Sequence, residues 1–540
     1  MTLLPSRASY ATGDSVLIDL PSAATPRSLT LWHLSELVRS VEIPAGAESV
    51  DLGRLPVGGY GVELDDGQSS AFDVLEDPFD RPRYGFIVKL TGDLDIPAVR
   101  DNYRRLHLNV SQFYDWSYRH SVLLPPEDSY VDPLGQIRSL ATVNALAEGL
   151  SDAGTVPLGY SAVYGIGHEE VADWPDSMLL RPDGTPYLFA EDFLVIVDPA
   201  ERQWLEHYLA QLEGVVTQTK LQGFHLDQYG WPKFGVRSDG VPVDMTESFV
   251  TLISAIRERL PQARFMFNNV NDFPTYATAP TPQDATYIEV WNPHSSLGDL
   301  GALATKARSY RPEHPPILSA YLSCYSNGNE LAATNAARLT MASIFSHGAT
   351  HLLAGEDGHV LVHAYYPNSY AVTAETTEVL ASYYDFLVRY GDLLLSPEQV
   401  DVTEFYAGGV NEEVQFGSAT GVAFSTKADA GTVWTRVVRV PGGMLVHLIN
   451  LTDQTETAWD AEKSDFSRLD GLTLRLVPPF PGAKVSAASP EQPRLVSLGS
   501  GEVDRDSDWN ITSGAQGWST ISLPTLTDWL MLFIPTAPSA

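Results

Sequence analysis

GFHLDQYG, residues 223–230, is an apolar run that stops on an acid and gives way to a turn, and TYIEVW, residues 286–291, repeats the design with Glu289 in the place of Asp227. Short runs rich in aromatic and branched residues read as strands. An acid in last position marks the point where a strand leaves the interior, because an unpaired carboxylate is costly inside. Working outward, GFIVKL (85–90), NVSQFYDW (109–116) and VPLGYSAVYG (156–165) come before, and RFMFNNV (264–270), PPILSAYL (315–322) and ATHLLAGED (349–357) lie between or after. Long amphipathic stretches such as PAERQWLEHYLAQLEGVV and NELAATNAARLTMASIF separate most of them. Eight strands alternating with helices predict a parallel (β/α)8 TIM barrel. An open doubly wound sheet would carry a Gly-rich phosphate turn after its first strand, and KLTGDLD has none.

The rhythm differs on both sides of this block. Residues 1–78 alternate apolar and polar positions in short runs such as SVLIDL and GYGVEL, broken by turn residues, which predicts a small β-sandwich. The change to βα units falls near DPFDRPRYG, so the barrel is expected over 79–396, ending on the helix TAETTEVLASYYDFLVRYGDLLL. Short strands return in TVWTRVVRV, GMLVHLINL and TDWLMLFI, and 397–540 is expected to be a second β-sandwich.

Composition narrows the function. Of 540 residues 44% are hydrophobic and 19% charged, the profile of a chain that folds throughout. The formal net charge of -34 disfavours nucleic acid and anionic membrane surfaces, which need clustered Lys and Arg. No apolar run approaches the ~18 residues of a membrane span, and the N-terminal MTLLPSRASYATGDSV does not read as a secretion signal, so a cytoplasmic protein is expected. Cys324 is the only cysteine, which removes intrachain disulfides and cysteine-based zinc sites. There is no G-x-S-x-G elbow, and no cofactor is expected.

In TIM-barrel enzymes the reactive groups project from the C-terminal ends of strands. That places Asp227 on strand four and Glu289 on strand six as a candidate facing pair. Two such carboxylates can cleave glycosides, one attacking the anomeric carbon while the other protonates the leaving oxygen, and their separation sets retention or inversion. An ordinary ion pair at the mouth is the rival reading. Around the same strand ends stand Tyr114, Trp116, Tyr164, Tyr229, Trp231, Trp291 and Tyr321, whose rings suit sugar faces, and Asp115, His120, Gln228, Asn268, Asn269, Glu356 and Asp357, which suit hydroxyls.

The combination of SQFYDWSYRH, GFHLDQYG, YIEVW and LAGEDGHVLVHAYYPN, with VHLINLTDQTETAWDAEK further on, resembles glycoside hydrolase family 66. That family holds endo-dextranases and the glucanotransferases that make cyclic isomaltooligosaccharides. The resemblance implies an immunoglobulin-like sandwich, a barrel and a Greek-key sandwich in that order. It further implies cleavage of α-1,6-glucosidic linkages in dextran or in linear or cyclic isomaltooligosaccharides, by a retaining double displacement with Asp227 as nucleophile and Glu289 as acid/base. Asp115 and Trp116 would belong to the non-reducing-side sugar site, and Glu356 and Asp357 to the mouth. Cyclising members carry an inserted carbohydrate-binding domain, and no block of about a hundred residues separates any two strands here, so hydrolysis is expected ahead of transfer. A sugar-binding protein without catalysis is the remaining alternative, which the presence of both acids disfavours.

Two histidine pairs with a spacing of four, His347/His351 and His359/His363, would suit zinc on a helix face, but they straddle or follow strand eight without an H-E-x-x-H glutamate. No metal is expected.

Overall fold

The computed structural model describes residues 3–191, 193–408, 410–477, 483–504 and 518–536. Eight parallel strands form one sheet in sequence order: β1 (Tyr84–Ile87), β2 (Val110–Phe113), β3 (Val156–Ala162), β4 (Gly223–Asp227), β5 (Arg264–Asn268), β6 (Ala285–Glu289), β7 (Ile317–Ser319) and β8 (Thr350–His351). Helices follow the strands: α1 (Ile96–Arg105), α2 (Leu140–Asp152), α3 (Arg202–Gln218), α4 (Met245–Arg259), a single turn α5 (Thr275–Thr278), α6 (Leu297–Tyr310), α7 (Glu330–Ser346) and α8 (Ala374–Arg389). The fold is a (β/α)8 barrel. Its helices begin on side chains that take up free backbone N–H groups: Asp95, Ser139, Glu201, Asp244, Ser296, Asn329 and Thr373 cap α1, α2, α3, α4, α6, α7 and α8.

No ladder joins β8 to β1, and the seam closes by close approach instead. Gly355 lies so near β1 that a Cβ there would meet the Phe86 carbonyl oxygen at 2.4 Å. The next residue, Glu356, accepts hydrogen bonds from the Val88 and Lys89 N–H groups at 2.8 and 2.9 Å.

Loops at the C-terminal ends carry small sheets that the sequence reading did not separate. A hairpin follows β2 (Ser129–Val131 with Ile137–Ser139) and another follows β4 (Phe234–Val236 with Pro242–Asp244). After β3 comes a three-stranded sheet of Gly165–Gly167, Leu188–Phe189 and Leu194–Ile196. The stretch VPLGYSAVYG is therefore not one strand: β3 ends at Ala162 and the chain turns into this insertion.

On the N-terminal side, a three-stranded and a five-stranded sheet enclose an apolar cluster that includes Ile18, Leu29, Leu31, Val62 and Phe72. On the C-terminal side, a seven-stranded and a four-stranded sheet enclose another that includes Val437, Val446, Leu474 and Leu532. Both are tied to the barrel by buried charge. Arg83 grips Asp73 with both terminal nitrogens (2.6 and 3.0 Å), and Arg338 holds Asp528 at 2.7 Å. Among the described residues no helix is long and apolar enough to cross a membrane.

Candidate active site

Asp227 is the last residue of β4 and Glu289 the last of β6, with β5 and its terminal Asn268 between them. Asn268 follows the residue paired with Leu226 and so stands beside Asp227, while on β6 it pairs with Tyr287, two residues before Glu289, and its side chain ties the two acids together. Its Nδ2 donates to Asp227 Oδ1 at 2.6 Å and to Glu289 Oε2 at 2.9 Å. One nitrogen serving both oxygens holds them within about 5.5 Å of each other. Tyr160, on β3, donates to Asp227 Oδ2 at 2.7 Å, and Tyr321 donates to Glu289 Oε1 at 3.0 Å.

Neither carboxylate forms a salt bridge among the described residues. Burial pushes Asp227 above the usual carboxylate range, while Asn268, Tyr160 and the Gln228 N–H pull it back. Burial likewise pushes Glu289 up. The neighbouring charge of Asp227 pushes it further, against donation from Asn268, Tyr321 and Trp291. Of the two, Glu289 is the one that keeps a proton near neutral pH.

Both acids open into a cleft of about 640 Å3, within the range of sugar- and drug-sized sites. Its lining includes nine residues read from the sequence besides the two acids: Tyr114, Asp115, His120, Gln228, Tyr229, Asn268, Trp291, Tyr321 and the second-pair histidine His363. Asp115 is buried, and its carboxyl rises to about 7, through burial first and then the charge of Asp132, with Asp227 adding to it. Burial lowers His120 to about 4, so it faces the cleft as a neutral ring. Gln228 is spent on structure: its amide donates to the Asn268 and Phe273 carbonyls and accepts from the Gly230 N–H.

Six residues expected at the mouth lie outside this cleft: Trp116, Tyr164, Trp231, Asn269, Glu356 and Asp357. Asp115 has φ +41°, which turns the chain so that Trp116 enters the layer between sheet and helices, where its indole donates to the Tyr160 carbonyl. Tyr164 is past the end of β3 and is used between loops, accepting from the Tyr229 N–H and donating to the Trp231 carbonyl. Glu356 is consumed by the barrel seam, and the exposed Asp357 stands beyond it. Asn269 is likewise structural, bonded to the Phe267 and Tyr287 carbonyls. The sequence reading missed Tyr160, His225, Tyr287 and Tyr366 in the cleft, and Phe189 and Phe193 on its wall. Period-two alternation would have found Tyr160 and His225, since Leu158, Tyr160 and Ala162 share a face, as do His225 and Asp227. Phe189 and Phe193 come from the insertion after β3, and Phe189 stacks on Tyr229 with ring centres 4.1 Å apart.

The histidine pairs do not converge on a point. His347 bonds the Ser343 carbonyl and His351 the Ala320 carbonyl. Among the described residues no group of three metal-ligand side chains comes together. Cys324 is buried and packs in the core.

The model of glycosyl hydrolase family 66 matches residues 7–533. The chain belongs to that family. Two cycloisomaltooligosaccharide glucanotransferases of Niallia circulans are similar to it. One is 20% identical over 646 positions, covering 89% of this chain and 65% of the relative, and the other 21% identical, covering 88% and 64%. This family 66 chain thus spans about 65% of the length of the curated relatives it matches. A solved cycloisomaltooligosaccharide glucanotransferase of Paenibacillus sp., complexed with cycloisomaltoheptaose, has the same fold, with a TM-score of 0.86, 18% identity and 99% coverage of both chains. A maltogenic α-amylase of Thermotoga neapolitana shares the fold more loosely, at a TM-score of 0.54 and 9% identity over 85% of this chain and all of that one.

Proposed function

We propose that this family 66 chain opens α-1,6-glucosidic linkages of isomaltooligosaccharides or dextran with retention, Asp227 acting as nucleophile and Glu289 as general acid/base. The observation that carries the reading is the single Asn268 amide spanning both carboxylates. Retaining pairs stand about 5–5.5 Å apart and inverting pairs about 6.5–9.5 Å, and one amide nitrogen that reaches an oxygen of each carboxylate favours the closer spacing. In the first step Asp227 bonds to the anomeric carbon while Glu289 gives its proton to the departing oxygen. In the second, ionised Glu289 takes a proton from the acceptor, whose oxygen displaces Asp227. Tyr114, Asp115, His120, Tyr229, Trp291 and Tyr321 are the side chains left to grip the sugar, since each lines the cleft.

The acceptor is the point at which the comparisons weigh against the sequence reading. Hydrolysis was expected to lead, yet the named relatives are glucanotransferases, which supports transfer to a sugar hydroxyl. We adopt transfer. Hydrolysis stands as the second reading on one observation: 646 aligned positions meet only 89% of this 540-residue chain, so a sizeable number of that relative's positions have no counterpart here. We also propose the three-part organisation 1–78, 79–396 and 397–540, with immunoglobulin-like and Greek-key character for the flanking sandwiches.

The test is incubation with dextran, linear isomaltooligosaccharides and cyclic isomaltooligosaccharides in parallel, with products resolved by mass spectrometry. Rings or elongated chains support transfer. Shorter linear products alone move the assignment to hydrolysis, and no turnover on any of the three sinks the α-1,6-glucan reading.

A further inference from the structure

Beside the catalytic cleft, beyond the rim formed by the loops after β4, β5 and β6, lies a second cavity of about 390 Å3. It is lined by Tyr229, Gly230 and Lys233 from the first loop, Val270, Asn271 and Phe273 from the second, and Trp291 from the third. Tyr229, Val270 and Trp291 also line the cleft, so the two spaces share a wall. The sequence reading gave no role to Lys233, Asn271 or Phe273.

The proposed chemistry fixes which side of the scissile bond this cavity serves. The sugar whose anomeric carbon is attacked must lie over Asp227. Asp115, which feels the charge of Asp227, comes from the loop after β2 on the opposite wall and bounds that sugar. The acid/base stands beside the glycosidic oxygen, so whatever departs, or arrives to replace it, passes Glu289. Trp291 is two residues beyond Glu289 and donates toward its carboxylate, while its side chain, 39% exposed, also forms part of the second cavity. The route past the acid/base therefore leads into this cavity and not toward Asp115.

Its surface suits a neutral polyol. Asn271, held at φ +52°, accepts from the Trp291 N–H and donates to the Asn292 carbonyl, fixing the loop that presents the indole. Gly230, at φ +71°, lets the β4 loop close on Val270, where a Cβ would meet Val270 at 3.0 Å. The Lys233 ammonium lies 4.4 Å from the centre of the Phe273 ring and forms no salt bridge among the described residues. An ammonium with no carboxylate partner keeps its N–H groups for other acceptors. Aromatic faces with a few donors are the elements that hold glucosyl rings.

We infer that this cavity is the acceptor subsite, holding a glucosyl unit of the isomaltooligosaccharide that leaves in the first step and of the one that enters in the second. The inference rests on the double-displacement reading. On entry, the 6-hydroxyl oxygen of the acceptor bonds to the anomeric carbon, the ester bond to Asp227 breaks and restores its carboxylate, and Glu289 receives the hydroxyl proton. Lys233 orients the acceptor and takes no part in bond making.

The experiment uses α-isomaltosyl fluoride as donor and isomaltose as acceptor, following fluoride release and transfer products separately. Fluoride leaves without a sugar in the acceptor site, so the two halves of the reaction are read apart. In Lys233→Ala the acceptor KM is expected to rise about fivefold or more relative to any change in fluoride release, the effect of about one lost hydrogen bond. Lys233→Arg, which keeps the donors, should recover most of it. An unchanged acceptor KM, or a loss of fluoride release as large as the loss of transfer, overturns the assignment. Fluoride release with no transfer product at any isomaltose concentration also overturns it while leaving the double displacement standing. No fluoride release by the wild-type protein sinks the double displacement itself.

Discussion

The two ends of the barrel use the same acid side chains to opposite ends. Below the N-terminal ends of the strands three deeply set carboxylates have cations: Asp73 has Arg83, Asp385 has Arg105 and His107, and Asp284 has Arg257 and Arg264. At the C-terminal ends Asp227 and Glu289 are as deeply set yet are held by amide and hydroxyl donors alone. The consequence is visible in proton affinity. Burial raises Asp385, but Arg105 and His107 pull it below its ordinary range, whereas burial leaves Asp227 and Glu289 above theirs. A cation makes a buried acid a structural tie; neutral donors leave it able to exchange a proton or attack carbon.

The sharpest break in this contrast is kinetic. Asp227→Gly is expected to lower turnover of isomaltooligosaccharides by about 10⁴-fold or more. Azide should restore activity in part and give the β-linked glucosyl azide by NMR, whereas an α-linked azide would exchange the roles assigned to the two acids. At the other end, Arg83→Met leaves Asp73 buried without its partner. It should cost about 3–5 kcal/mol in urea unfolding while leaving the pH–rate profile of the remaining folded enzyme in place. A shifted profile would show that the two ends are not independent.

Asn268→Ala probes the bridge. Both donors act on ionised carboxylates and so lower both proton affinities, and their loss should move the acidic limb, set by Asp227, and the alkaline limb, set by Glu289, to higher pH together. A fall in kcat/KM of about 10–100-fold is expected, about 1.5–3 kcal/mol. Movement of one limb only would mean that the amide serves one carboxylate in solution.

The smallest effect concerns stability. A carboxyl raised in the folded state binds protons there that the unfolded chain has released, so stability falls as pH climbs from the unfolded to the folded proton affinity. Removing it in Glu289→Gln should therefore raise stability at pH 8 relative to pH 5, by about 1 kcal/mol. Asp385 has the opposite shift: its stabilisation is present above the unfolded carboxylate range and lost as pH falls through the depressed folded one. Asp385→Asn should accordingly destabilise at pH 7 and matter least in acid. Equal responses from the two variants would erase the distinction between the ends.

What could be read from residues alone was whatever repeats with a short period. Apolar runs ending in Asp227 and Glu289 gave the strand ends without displacement, since both acids close their strands. Runs quoted too long misplaced residues beyond the true strand end. The long run points to Tyr164 as the cleft residue, whereas Tyr160 is the one that lies on β3 and bonds Asp227. Trp116 followed Asp115 on paper but parts from it in space, because a left-handed backbone at Asp115 is not visible in composition.

The sequence by itself determined the barrel, its order of strands, the two acids and their family, because hydrophobic period and strand-end polarity are local properties of a chain. Only the tertiary structure decided that one amide spans both acids, that Glu356 closes a seam, that an insertion after β3 lends phenylalanines to the cleft, and that a second cavity adjoins Trp291. Each of these depends on side chains from different strands and loops meeting at one point. Sequence spacing does not encode that distance; strand register and loop packing do.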